Sequence, residues 1–473
     1  MKIKKKILFC SLLFVSCFFL FKCGNPMMGN ELEIFIEERN NIEIVFYVGS
    51  EIEWLSATGF ISSGESGKKY AIIITGNFDI DGIVYSTDPN SKNFTFDSVT
   101  GITVTIKPDT GSRTLNLKGT GPSSGSIIRL NNTQTLNIEN ITLKGVDNNN
   151  HSLVYVGDGS QLTMRGLSSI TGNKGNGTAY SGGVHVDGGI FIMQGSAKID
   201  NCGTASGGYG GGVYVGNDGT FTMDGGTIED CEAKYGGGVG IAEGGTFIMN
   251  NGTISENTAT DDGGGVFVGK GTFTMRGSAK IYECTANMGG GVAVLSEGTF
   301  TMRGSAEIYE CTAENPSGNG GGVYVGNDGT FTMNGGTISK NIAIDGCGVY
   351  VNDGIFTMRG DSTIESNISR TNGNGGGVYL NAGIFDMYGG KILRNDAGTG
   401  KGGGLYIAGG NFFMHGGTIY GEDEGENSNT ANEGKSLYLA SGTAKYGDGT
   451  EILEDPETDA VERTLRDIPA TGP

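Results

Sequence analysis

The chain has 473 residues, 88 of them glycine, with 52 acidic against 32 basic side chains and a formal net charge of −20. So acidic a polypeptide is a poor ligand for nucleic acid or for an anionic membrane face. Solubility is the ordinary use of such a charge.

Residues 1–22 open with Lys2, Lys4, Lys5 and Lys6 and continue through the uncharged stretch Ile7 to Phe21, the n-region and h-region of an export signal. That apolar stretch is short for a bilayer span, so a cleaved signal is expected rather than a transmembrane anchor. Two cysteines stand where a bacterial lipobox would end, with the cysteine diacylated as the new N-terminus. Cys23 is followed by the polar tether-like Gly24-Asn25-Pro26 but preceded by an unfavourable Lys22; Cys17 has the better Ser16 before it but would leave Phe18 to Phe21 on the mature end. Cys23 is favoured, Cys17 is the alternative, and an ordinary signal peptide with incidental cysteines is the plain reading. Cleavage after residue 22 removes five lysines and no acid, taking the net charge from −20 to −25.

Residues 23–44 read as a tether. In 45–150 a cap and irregular first coils are expected. Ser50 is placed to cap a helix beginning at Glu51, with Ile52, Leu55 and Phe60 at nearly helical spacing and Trp54, the single tryptophan, in a plug over the solenoid mouth. Short β-rich runs follow, such as Ile102 to Ile106 and Thr135 to Ile138.

Regular repeats fill 151–452. A Phe-x-Met or Leu-x-Met triplet recurs with its methionine at Met164, Met193, Met223, Met249, Met275, Met302, Met333, Met358, Met387 and Met414, at intervals of 25 to 31 residues, a period that calls for a solenoid. Each unit carries three short alternating pieces, as in Val323-x-Val325, Phe331-x-Met333 and Ile338, separated by Gly/Asn/Asp turns; alternation of β-branched and aromatic residues means strand. Like strands of successive units would pair in parallel about 4.8 Å apart. The expected fold is all-β: a single-stranded parallel β-helix, three short strands per coil and about 14 coils, capped by the N-terminal helix. Residues 453–473 form a polar tail.

Three residues past each isoleucine stands Asn or Cys, from Asn173 and Cys202 to Asn395, read as a small half-buried turn position with free stacked thiols. Cysteines in a column without histidine do not make a metal site. Glycine triplets such as Gly210-Gly211-Gly212 precede the first strand. With no helix or Lys-Ser/Thr after them they are corners rather than phosphate loops, and no cofactor is expected. Between the two valines the outward position gives Tyr155, His185, Tyr214, Gly240, Phe267, Ala293, Tyr324, Tyr350, Tyr379, Tyr406 and Tyr438. This predicts an exposed aromatic stripe, either plain cross-strand stacking or a recognition face, with Tyr214, Phe267, Tyr324, Tyr350, Tyr379 and Tyr406 as the candidate binding residues.

The combination Gly-Gly-Gly-Val-Tyr-Val, Phe-Thr-Met, Gly-Gly-Thr-Ile and a following Asn resembles repeats of bacterial surface proteins of the pectin-lyase-like right-handed β-helix superfamily over roughly residues 70–450. It is similar in style to chlamydial polymorphic outer membrane protein repeats and closer to spirochaetal repeat lipoproteins. The resemblance implies right-handed coils, outer-membrane surface exposure, and adhesion to a host protein or glycan, with the membrane met only through the N-terminal lipid. The competing class on this fold is a polysaccharide lyase or glycoside hydrolase, which needs clustered carboxylates and a base. The outward positions of the second strand offer one carboxylate, Asp386; Arg276, Arg303 and Arg359 recur as if structural, and His151, His185 and His415 are scattered. A non-enzymatic binding protein is therefore expected, with an envelope spacer lacking any specific ligand as the third reading.

Overall fold

The computed structural model describes residues 43–450 apart from 86–92, 98, 176–181, 205–206, 315–317, 372 and 422–424, together with the backbone of strand Val461–Arg463. Cys17 and Cys23, the export signal and most of the tether and tail lie outside the described residues.

The chain winds as a parallel β-solenoid of about 13 turns. One coil shows the plan. Val213–Gly216 carries the Val-x-Val motif, Thr220–Met223 the Phe-x-Met motif and Thr227–Glu229 the isoleucine, and a fourth piece, Glu232–Tyr235, completes the turn. The Val-x-Val strands form a 12-stranded sheet, whereas the Phe-x-Met and isoleucine strands share one 27-stranded sheet that bends between them. In Thr299–Tyr309 and Thr330–Ser339 the two run together as one strand. The fourth strand, absent from the sequence expectation, builds an 8-stranded sheet running from Lys174–Gly175 to Ile368–Ser369. Most of its members are two residues long, such as Thr285–Ala286, too short for alternation to reveal.

Register is what makes a core of these pieces. Phe221 pairs Phe247 and Met223 pairs Met249, and the same match continues coil by coil to Phe385 on Phe412. Nine phenylalanines from Phe191 to Phe412 stack with centroids 4.6 to 5.0 Å apart, an offset-stacked distance that adds to their burial. The alternating Thr222 and Thr274 point outward, as a pleated strand requires.

The Asn/Cys position departs from expectation: Asn257, Asn341, Asn367, Asn395 and the cysteines Cys202, Cys231, Cys284 and Cys311 are fully buried, not half-buried. Burial is tolerated because the amides are satisfied. Asn367 Oδ1 accepts from the backbone N of Asn341 at 3.0 Å and from its Nδ2 at 2.9 Å, and Asn367 Nδ2 donates to the Ile338 carbonyl at 3.1 Å. Where the position holds Cys, the thiol donates to a carbonyl, as Cys284 Sγ does to that of Tyr282 at 3.3 Å. All five described cysteines are free. The ladder runs further than the repeats indicated, to Asn149 at one end and Asn429 at the other, each bonded to its neighbour at 3.0 Å. Immediately before it the corner is left-handed at Asp230, Glu256, Glu283, Glu310, Lys340, Ser366 and Arg394, with φ between 52 and 57°.

The cap is helix Glu51–Ser62, opened by Ser50 Oγ accepting from Glu53 N at 3.4 Å while Glu53 reaches back to the Gly49 N–H at 2.7 Å. Trp54, Ala57, Thr58 and Ile61 face the solenoid. Ile52 and Leu55, expected inward, are 70 and 53% exposed, because Trp54 and Ile61 take the mouth of the core and rotate those two to the far side; Phe60 packs edge-on against Phe46 at 5.4 Å. A Phe273→Ala variant is expected to lose about 3–5 kcal/mol by leaving a hole in the ring stack, whereas Thr274→Ala on the next residue is expected to stay within about 0.5 kcal/mol. Urea unfolding followed by far-UV circular dichroism checks both.

Candidate functional site

The outward column of the 12-stranded sheet is in strict register from Arg129 through Tyr155, His185 and Tyr214 to Tyr438. It is not the open stripe expected. Tyr214, Phe267, Tyr324 and Tyr350 are 3 to 8% exposed, and the half-buried rings stand toward the two ends, Tyr155 and His185 at one and Tyr379, Tyr406 and Tyr438 at the other.

The cover comes from the residue preceding each glycine triplet. Asp262, Met288, Asn319 and Asp345 bridge one another in parallel as Tyr209 does Tyr235, a second column beside the first. Where the aromatic column drops to Gly240, Tyr209 and Tyr235 fill the gap, their rings 5.8 and 5.2 Å from Phe267 and 4.9 Å from each other. Where it drops to Ala293, Met288 and Leu295 pack against the cluster formed by Phe267, Ala293, Tyr324 and Tyr350. A side chain at Gly240 would meet Gly210 N at 2.7 Å, so that glycine is required by the crossing chain. Tyr324, Tyr350, Tyr379, Tyr406 and Tyr438 stack at 4.8 to 5.5 Å.

Each end of the column is polar. At the N-terminal end Arg129 lies 4.3 Å over the Tyr155 ring, Tyr155 donates to Asp187 Oδ2 at 2.5 Å and Asn217 Nδ2 donates to Asp187 Oδ1 at 2.5 Å. His185 sits edge-on between Tyr155 and Tyr214 at 5.3 and 5.1 Å, and burial pushes its imidazole down to about 4, so it is neutral at pH 7. At the other end Lys401 Nζ donates to the Tyr438 hydroxyl at 2.8 Å and to Glu433 at 2.7 Å.

Asp262 is the misfit in the covering column. It is 7% exposed, its Oδ1 has no hydrogen-bond partner, and burial, with Asp261 adding to it, pushes the carboxyl up to about 7.

A second cluster lies on the outer face of the Phe-x-Met strands. Arg359, Tyr388 and His415 each follow the ladder methionine, so register lines them up: the Arg359 guanidinium stands 4.0 Å over the Tyr388 ring, and Tyr388 stacks on His415 at 4.2 Å. His415 Nε2 is 3.9 Å from Asp386 Oδ1, and burial raises the Asp386 carboxyl. His415, expected to be scattered, is thereby brought into one stack with Arg359 and Tyr388. The signal was present in the spacing, since three residues at one offset from Met358, Met387 and Met414 must stack. At 3.9 Å the Asp386 and His415 side chains stand beyond direct hydrogen-bond reach, so the cluster is a stack of guanidinium, phenol and imidazole flanked by one carboxyl.

In the unfolded chain Asp262 ionises near the ordinary carboxylate value, before the native group does, so native stability is expected to fall as pH rises from about 4 to about 7. Asp262→Asn removes that loss. It should raise stability above pH 7 by a few kcal/mol, on the order of 1.4 for each unit of displaced pKa, and the gain should vanish toward pH 4. Thermal melts across that range measure it.

A family model described as a right handed beta helix region matches residues 126–306, less than half of the chain and within the repeats. No curated protein and no solved structure matches it. With the parallel coils on either side of the matched stretch, the chain folds as a right-handed parallel β-helix.

Proposed function

We propose that the chain is an exported, lipid-anchored cell-surface protein of the outer membrane that binds a host protein or glycan along its solenoid, and that the contact lies at the C-terminal third of the aromatic column. The observation that carries this reading is the change in cover along that column: the rings from Tyr214 to Tyr350 are buried, whereas Tyr379, Tyr406 and Tyr438 keep accessible edges beside Lys401. Rigid stacked rings with one polar partner suit a sugar face or a peptide groove, since little side-chain freedom is lost on binding. Support for export and anchoring comes from the basic and apolar Met1 to Phe21 followed by Cys23, and support for surface display from the likeness of the repeats to chlamydial and spirochaetal surface repeats.

The fold also carries polysaccharide lyases and hydrolases, and a fold does not confer an activity. A catalytic second reading is favoured by one feature, the Asp386–His415 pair with Arg359 beside it.

Glycan and extracellular-matrix arrays probed with the mature chain separate the readings. The binding reading expects Tyr379→Ser combined with Tyr406→Ser to weaken capture by about tenfold or more while leaving the melting temperature within a few degrees. Capture that is equal for both chains removes it, and absence of any capture leaves the spacer. Turnover of an acidic polysaccharide that is abolished by Asp386→Asn would transfer the assignment to the enzyme. Mass spectrometry of the mature N-terminus is expected to find a diacylated Cys23.

A further inference from the structure

One strip of the molecule breaks the pattern of its own surface. Along the Phe-x-Met strands two outward columns stand side by side over seven successive coils, one running from Ile190 through Thr272 to Ile355 and the other from Ile192 through Thr274 to Thr357, every position in register. The fourteen positions hold ten threonines and four isoleucines. None is charged, in a chain of net charge −20.

Strand propensity explains threonine on an exposed strand but not the lack of anything else. The isoleucine strand of the same sheet, one bend away and subject to the same backbone demands, carries an ordinary mixed exterior with cross-coil ion pairs, Lys198 to Glu229 at 2.6 Å and Lys280 to Glu307 at 2.8 Å. Charge returns at both margins of the strip, with Asp218 and Asp328 in the turns before it and Arg276 and Arg303 after it. The uncharged zone is therefore bounded rather than diffuse.

Its geometry is that of a lattice. Hydroxyl and methyl groups repeat about every 4.8 Å along the solenoid axis and about 6.7 Å along each strand. Threonine and isoleucine are stiff at χ1, and the phenylalanine stack beneath holds each row. A ligand that is itself periodic can meet many such rows at once, so that individually weak contacts add in the manner of multivalent binding.

Chemistry and size narrow the ligand. A flat sugar polymer is gripped by aromatic rings, and the strip has none. A charged mineral face needs charged partners, and the strip has none of these either. A second copy of the chain would bury on the order of 30 Å by 13 Å, roughly 400 Å² per partner, about half of what a stable pair needs. Water ordered as ice meets every condition. Its surface offers oxygens in fixed rows at spacings near those of the strip, the hydroxyls can join that hydrogen-bonded network, and the methyl groups favour cage-like ordering of the first water layer in a way that strongly hydrated ions would disrupt. We propose that this strip is an ice-binding face, its ligand the surface of an ice crystal. The assignment is independent of the aromatic column on the 12-stranded sheet.

The test uses the full mature chain in ice-recrystallisation and thermal-hysteresis measurements. Wild type is expected to hold crystals small and to open a gap between melting and growth temperatures. Thr274→Lys with Thr301→Lys, two half-buried outward positions at the centre of the strip, is expected to lose both effects with an unchanged circular dichroism spectrum. Thr253→Lys with Thr337→Lys, on the neighbouring isoleucine strand, is expected to keep them. Ice growth in wild type equal to that in an inert protein of matched concentration overturns the proposal, as does full activity in the strip variant. Dimers in analytical ultracentrifugation that the strip variant abolishes would give the face to a second copy and overturn it too.

Discussion

Every part of this molecule answers to one constraint: each residue lies about 4.8 Å from its counterpart in the coils before and after it. At that spacing a side chain does not choose a partner from a varied environment. It meets the same position of the next repeat. Phenylalanine stacks on phenylalanine from Phe191 to Phe412, and asparagine bonds asparagine from Asn341 to Asn429. Such columns suit residues that attract their own kind. A buried column of like charge would repel itself, and Asp262, without a hydrogen-bond partner for Oδ1 between Tyr235 and Met288, shows what one carboxyl costs even alone.

The same constraint decides which surfaces can act. A column with an identical side chain in every coil makes a lattice, while a column whose members change makes a local site. The strip of threonines, interrupted only by isoleucine, approaches the first kind. The Arg359, Tyr388, His415 and Asp386 cluster is the second, and arises where the strip ends: Thr357 is followed in register by Asp386 and then Phe413. The aromatic column is a hybrid. It is buried where the covering residues are large, as at Tyr235 and Met288, and opens toward Tyr406, where Lys401 and Glu433 extend outward and pair with each other.

Much of this was legible from residues alone, because the repeat spells out the period, the inward alternation and the stacking of like on like. What escaped reading has a physical cause in each case. The face of helix Glu51–Ser62 is hard to read because a short plug follows the shape of the mouth, which Trp54 and Ile61 fill, rather than a periodic apolar stripe. The aromatic column reads as open because its cover, Tyr209 to Asp345, stands next to glycine triplets and looks like loop. The fourth strand has too few residues to alternate. The convergence at His415 rests on single positions in three coils, Arg359, Tyr388 and His415, whereas the repeat displays only the ladders common to all coils.

The segments Gly210 to Ile228 and Gly320 to Ile338 differ at a single position, Asp224 against Asn334. Because both occupy the same place in their coils, a genetic crossover between them would excise or duplicate whole turns and leave every ladder continuous across the junction. The gene can thus lengthen or shorten its product in complete increments without an unfolded intermediate sequence. Length of the solenoid becomes a heritable dimension, adjusted by copy number instead of by point substitution.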